Sequence, residues 1–212
     1  QLIVDSALSN SFKNLLASGR SLSIAVQSIF TQAHVLPSNS SSAQLSMVRA
    51  LSKLGILFLS YTDSASASKS HEVVGFANPS LQVGGVHADA SNYSHTEYTL
   101  ETQAQLDSYL FPETKMDSLG EHFCKLQEAA ATLDQKLVTL SITPEMYKSE
   151  GFVSAINFMR SPGSAFSGLN TRTGSLLVLK LNNMATSTQK VFAHLVGTVL
   201  VEVRADSCSV YD

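Results

Sequence analysis

The chain has 212 residues, enough for one large β-domain or two small ones and for a substantial buried core. Charged residues make up only 15% and hydrophobic residues 44%, against about 25% charged in ordinary globular domains. The net charge is −3 and the 14 basic residues are scattered, so no basic stripe forms to follow a nucleic-acid backbone. No apolar run reaches the roughly 20 residues of a membrane-spanning helix. A sparsely charged surface rich in serine and threonine suits a protein covered by its neighbours. It suits equally an ordinary β-protein with polar loops.

In chain order, residues 5–18 read as a helix. Leu8, Phe12, Leu15 and Leu16 form one apolar stripe, and Gly19 stands where a helix stops. A strand follows from Leu22 to Val35, then a loop at Pro37 and the serines to Ser42. Ala43–Ala50 fits strand and helix equally well. Gly55–Tyr61 is apolar on both faces, as a central strand covered on both sides should be. Residues 62–70 are a polar loop, and 71–98 read as a long excursion with Gly84-Gly85 and an Asp/Asn/Ser cluster. Tyr98–Leu110 returns to strand and is expected to break at Pro112. A helix spans about 118–131, with Ser118 and Glu121 as a capping box and Leu119, Phe123, Leu126 and Ala130 as its stripe. A short helix starts with Thr143 as cap and Pro144 in its first turn. Strands follow at Gly151–Met159, Ser175–Leu181 and Val191–Val203, the last expected as two strands turning near Gly197-Thr198. Many short strands with two or three helices indicate a mainly β, antiparallel sandwich or jelly roll.

Chemistry-bearing residues give little. The histidines are His34, His71, His87, His95, His122 and His194. With serines everywhere, a Ser/His/Asp set can be drawn from composition alone, so it carries no weight. No G-x-S-x-G elbow occurs. His87, Asp89, His95 and Glu97 could share a metal on an extended segment, but a solvated polar crest explains them better. His122 is expected on the surface or at its boundary. His194 is expected at the core edge with a backbone partner. Cys124 and Cys208 lie far apart and read as two ordinary thiols. The Asn39 and Asn92 sequons read as chance matches. The chain begins at Gln1, as a fragment or processed piece would.

Several segments in order carry a resemblance. They are Leu15–Ile24 (LLASGRSLSI), Val48–Leu54 (VRALSKL), Tyr109–Glu113 with its following helix, Phe166–Leu177 (FSGLNTRTGSLL), and the closing Val199–Arg204 and Ser209–Asp212. Together they resemble the C-terminal half of the double jelly-roll major capsid protein of polinton-like viruses, a virophage- and polinton-related group. Ser23 and Ser175 stand where that family has proline and aspartate.

The resemblance implies a single C-terminal jelly roll over 1–212, with residues 1–20 as an inter-domain strand and helix. It implies trimeric, pseudo-hexagonal capsomers of an icosahedral shell, assembled inside the host cell. Partners would be copies of itself, neighbouring capsomers and minor capsid or penton proteins, with no specific nucleic acid. It brings no catalytic residue, cofactor or metal. Its motif Phe166, Gly168, Leu169, Asn170, Thr171, Arg172 and Gly174 is structural. Gly168 and Gly174 would permit tight or left-handed backbone, and Asn170 and Thr171 would satisfy turn backbone groups. Arg172 would pair with a neighbouring subunit or a local carboxylate, or simply face water. The alternative function is a capsid-derived jelly-roll module that binds carbohydrate or protein. A hydrolase is the third reading.

Overall fold

The computed structural model describes residues 5–37, 39–63, 78–80, 99–133, 142–149, 151–159, 167–172, 176–186 and 188–211. Its elements run α1 (Ser6–Ala17), β1 (Leu22–Val35), β2 (Ala43–Met47), β3 (Leu54–Asp63), β4 (Glu101–Leu106) and β5 (Tyr109–Met116). Then come α2 (Leu119–Leu133), α3 (Pro144–Ser149), β6 (Ser154–Asn157), β7 (Leu177–Asn182), β8 (Thr188–Val203) and β9 (Cys208–Tyr211). Of the expected 71–98 excursion, only residues 78–80 lie among those described.

Local chemistry sets the helix ends. At the end of α1 the Gly19 N–H donates to the Leu16 carbonyl and the Arg20 N–H to that of Leu15. Gly19 turns the chain at φ 76°, a conformation glycine adopts freely. At α2, the Ser118 hydroxyl accepts the Glu121 N–H at 3.2 Å. The Glu121 carboxylate reaches back to the Asp117 N–H, one residue before the cap. The Thr143 hydroxyl accepts the Met146 N–H and caps α3.

The strands form two antiparallel sheets. One has the order β1-β8-β3-β6, with β9 also paired to β8; the other has the order β2-β7-β4-β5. The pairs β1–β8, β2–β7, β3–β6 and β4–β5 thus alternate between two layers, which is the jelly-roll arrangement. The core lies between the layers. Leu57, Leu59 and Tyr61 of β3 and Val191, Ala193 and Leu195 of β8 are buried on one side. Leu45, Leu179, Leu181 and Ala104 are buried on the other. Burying each large aliphatic side chain contributes roughly 1.5–3 kcal/mol. At one edge Phe152 contacts Tyr61, His122 and Tyr147, and Phe123 contacts Tyr147, fastening α2 and α3 to the sandwich.

Three sequence expectations resolve differently. Ala43–Met47 is a strand, because β7 supplies its hydrogen-bond partners. Pro112 does not end a strand. The chain reverses earlier, at Asp107 (φ 54°), and Pro112 lies inside β5. There β5 is an edge strand, so one missing N–H removes no bond from a neighbour. Gly197 is not a turn. β8 runs unbroken from Thr188 to Val203, held straight by β1 from Leu22↔Val203 to Val35↔Lys190. A glycine is needed at 197 because the β2–β3 connection passes over it. A Cβ there would lie 3.0 Å from Leu51 Cδ1 and 3.2 Å from the Lys53 carbonyl oxygen. Gly197→Val should therefore destabilise the fold by roughly 1–3 kcal/mol. Urea unfolding would read this as a lower midpoint at unchanged slope.

Candidate functional site

The sequence motif forms a staple. Its described part, residues 167–172, lies against the connection that enters β3. Leu169 and Leu54 exchange backbone hydrogen bonds at 2.7 and 2.9 Å. The Thr171 N–H donates to the Leu51 carbonyl, and the Thr171 hydroxyl accepts the Leu51 N–H at 2.8 Å. The Asn170 side-chain oxygen accepts the Arg172 N–H at 2.9 Å, a local turn closure. Gly168 sits at φ 151°, where an added Cβ would lie 3.0 Å from the Leu54 carbonyl oxygen. Thr171 is buried and Arg172 is exposed. Phe166 and Gly174 lie outside the described residues. Leu51 to Leu54 is thus gripped from one side by this staple and from the other by β8, where Thr198 donates to Lys53.

Histidine placement departs from expectation. His122 is 0% exposed rather than at the surface. Its Nε2 faces the Leu100 carbonyl at 3.0 Å and its Nδ1 faces the Ser154 hydroxyl at 2.8 Å. A carbonyl only accepts, so Nε2 carries the proton and Ser154 donates to Nδ1. Burial holds the imidazole below its ordinary pKa, although the Leu100 carbonyl and Asp117 pull the other way. The ring is therefore a neutral bridge between α2, β6 and the approach to β4. Its spacing was the available signal: position 122 lies three and four residues from Leu119 and Leu126, on the apolar side of α2. His194 finds hydroxyls rather than backbone. Its Nδ1 lies 2.9 Å from Thr31 Oγ1 and its Nε2 3.2 Å from Ser60 Oγ, joining three strands on the sheet's outer side. Desolvation lowers its pKa, as it does that of His34.

The described residues contain no group of three metal-ligating side chains. His71, His87, Asp89, His95 and Glu97 lie outside them. No helix among the described residues is long and apolar enough to cross a membrane. A hollow of about 170 Å³ opens where β8 changes partner from β3 to β9, lined by Ala25, Ser52, Lys53, Thr198, Leu200 and Tyr211. It falls below the roughly 300 Å³ of small ligand sites. Cys124 and Cys208 are exposed free thiols.

The most distinctive surface is at one end of the longer sheet. β1 has 14 residues and spans roughly 46 Å, whereas the opposing strands have five to eight. Residues Ser23–Gln27 of β1 are all exposed. On that end, Ile24, Val26 and Val210 are 44%, 42% and 62% exposed. α1, beside it, buries none of its residues.

Two outcomes are expected. Gly168→Ala should destabilise the fold by about 1–3 kcal/mol, because the staple tolerates neither the backbone conformation nor the added carbon; thermal unfolding would register it. His122→Ala should cost roughly 2–4 kcal/mol at neutral pH through lost packing and two orphaned buried groups. The unfolded chain protonates this imidazole near 6.5 and the folded chain does so only at lower pH. Wild-type stability should therefore fall as pH drops below 6.5, and the variant should show a flatter profile in urea titrations across that range.

No protein-family model and no curated protein matches the chain. Solved structures do. One, described as a quasi-atomic model of the PBCV-1 virus capsid, superposes with a TM-score of 0.59 at 10% identity, covering 98% of this chain and 54% of that one. Another, the crystal structure of PBCV-1 VP54 fitted into a reconstruction of the virophage Sputnik, gives 0.54 at 10% identity with the same coverage. This chain spans about half the length of both. At that identity the likeness is one of fold.

Proposed function

We propose that this chain is a structural subunit of a virus shell, and specifically the C-terminal jelly roll of a double jelly-roll major capsid protein of the polinton-like kind. On this reading residues 1–212 form one domain, with 1–20 leading in from a preceding one. The protein acts in the virion as trimeric pseudo-hexagonal capsomers that contact neighbouring capsomers and minor capsid proteins. Its role is mechanical rather than catalytic. The observation that carries the reading is the superposition of 98% of the chain on a virus-capsid subunit at TM-score 0.59, in jelly-roll topology. The ordered sequence motifs and the sparse surface charge support it. The described motif residues 167–172 serve as a structural staple in this role, holding the strand entry at Leu54.

Sedimentation over rising protein concentration, followed by negative-stain imaging, tests the proposal. Trimers and larger rings are expected. A chain that stays monomeric at the highest concentrations and binds a defined sugar on a glycan array would instead identify it as a binding module.

A further inference from the structure

We infer that β1 is an open sheet edge that pairs antiparallel with β1 of a second copy of this chain, across a two-fold axis at Ala25. The inference deepens the shell-subunit reading and rests on it. The direction of the peptide groups defines the edge. The Thr198 N–H donates to the Lys53 carbonyl and the Arg204 N–H to the Ser207 carbonyl, both on the flank of β8 away from β1. In an antiparallel ladder successive residues point their N–H and C=O to alternate flanks. Thr198, Leu200 and Glu202 therefore point theirs away from β1. Their register partners, Gln27, Ala25 and Ser23, point theirs away from β8. Among the described residues β1 ends the sheet on that side, so these groups face outward.

The other sheet edges are guarded and this one is not. Native edge strands are short, covered, or carry charges and prolines that block further pairing. β2 has five residues, β6 and β9 have four each with α2 packed against β6, and β5 carries Pro112, Glu113 and Lys115. β1 runs for 14 residues in one register, without Pro, Lys, Arg, Asp or Glu. A row of outward peptide groups selects an extended strand that has a bare edge of its own. Among the described strands β1 is the one with such an edge, so a second copy meets it with β1. The exposed window sets the register. Ser23–Gln27 are all exposed, and centring the axis on Ala25 puts Ser23 of one copy opposite Gln27 of the other, and Ile24 opposite Val26. Hydrogen-bonded pairs at positions 23, 25 and 27 give about six main-chain bonds between the copies. Ile24 and Val26, 44% and 42% exposed in the lone subunit, become β-branched cross-strand neighbours. A three-fold axis cannot set a strand antiparallel to itself, so this contact joins two capsomers rather than the members of one trimer.

Charge exchange at Ala25 tests the self-pairing. Ala25 is exposed, so Ala25→Lys and Ala25→Glu should each leave the unfolding midpoint unchanged. Each variant alone sets like charges opposite one another across the axis and should need about tenfold more protein to assemble in sedimentation than the unsubstituted chain. An equal mixture of the two should regain assembly at the unsubstituted chain's concentration. A second measurement needs no substitution. Hydrogen exchange at the Ala25 and Gln27 amides should slow about tenfold between dilute and assembled samples, while the Ile24 and Val26 amides, bonded to β8, stay unchanged. Undiminished assembly of the single variants, no recovery on mixing, or exchange at Ala25 and Gln27 that ignores concentration would overturn the inference. If sedimentation still shows assembly in that case, the shell reading stands and another surface makes the contact. If the unsubstituted chain stays monomeric at the highest concentrations, both fall.

Discussion

β8 is the strand on which everything else is built. It is hydrogen-bonded to β1 along 14 residues of β1 on one flank, and to β3 and then β9 on the other. β1 lies near one end of the sequence and β8 near the other, so the sheet closes only when distant segments meet. Its side chains supply the middle of the core, and its length sets the length of the whole layer. The break between its two partners on one flank, at residues 197–200, is where the chain must be most carefully arranged. There the β2–β3 connection crosses Gly197 with no room for a side chain, and residues 167–172 clamp that connection from outside. The sequence motif is therefore a consequence of the strand exchange on β8.

The buried polar groups fit the same logic. His122 bridges α2 to β6 and to Leu100 with both ring nitrogens used, leaving no lone pair to act on a substrate. His194 does a similar task on the outer side, between Thr31 and Ser60. Both are held neutral by desolvation, and both connect strands distant in sequence. They lock register where apolar contacts alone would tolerate slippage. A Ser–His pair at 2.8 Å is here a cross-brace.

The mismatch between the two layers gives the molecule its outward chemistry. A layer of 14- and 16-residue strands faces one of five to eight residues. Whatever lies past the shorter layer must be polar or be covered. At that end Val199 is buried, Leu22, Val201 and Val203 are half-buried, and Ile24, Val26 and Val210 are exposed.

Strand and helix periodicity determined most elements directly. The α1 stripe, the 14-residue β1, the doubly apolar β3 and the caps at Ser118 and Thr143 were all legible, because each depends on neighbours within a few residues. The ordered motifs also carried the jelly-roll expectation. What depended on partners distant in sequence was not legible. Ala43–Met47 became a strand because β7 lies beside it, and Pro112 was tolerated because β5 is an edge. Gly197 looked like a turn until the crossing at Leu51 gave it another reason. His122 lay on the apolar stripe by spacing, yet only Ser154 and Leu100 made its burial affordable. The sequence by itself determined where strands and helices form. Only the tertiary structure decided which strand faces stay uncovered, because burial belongs to the whole arrangement of layers and not to any segment.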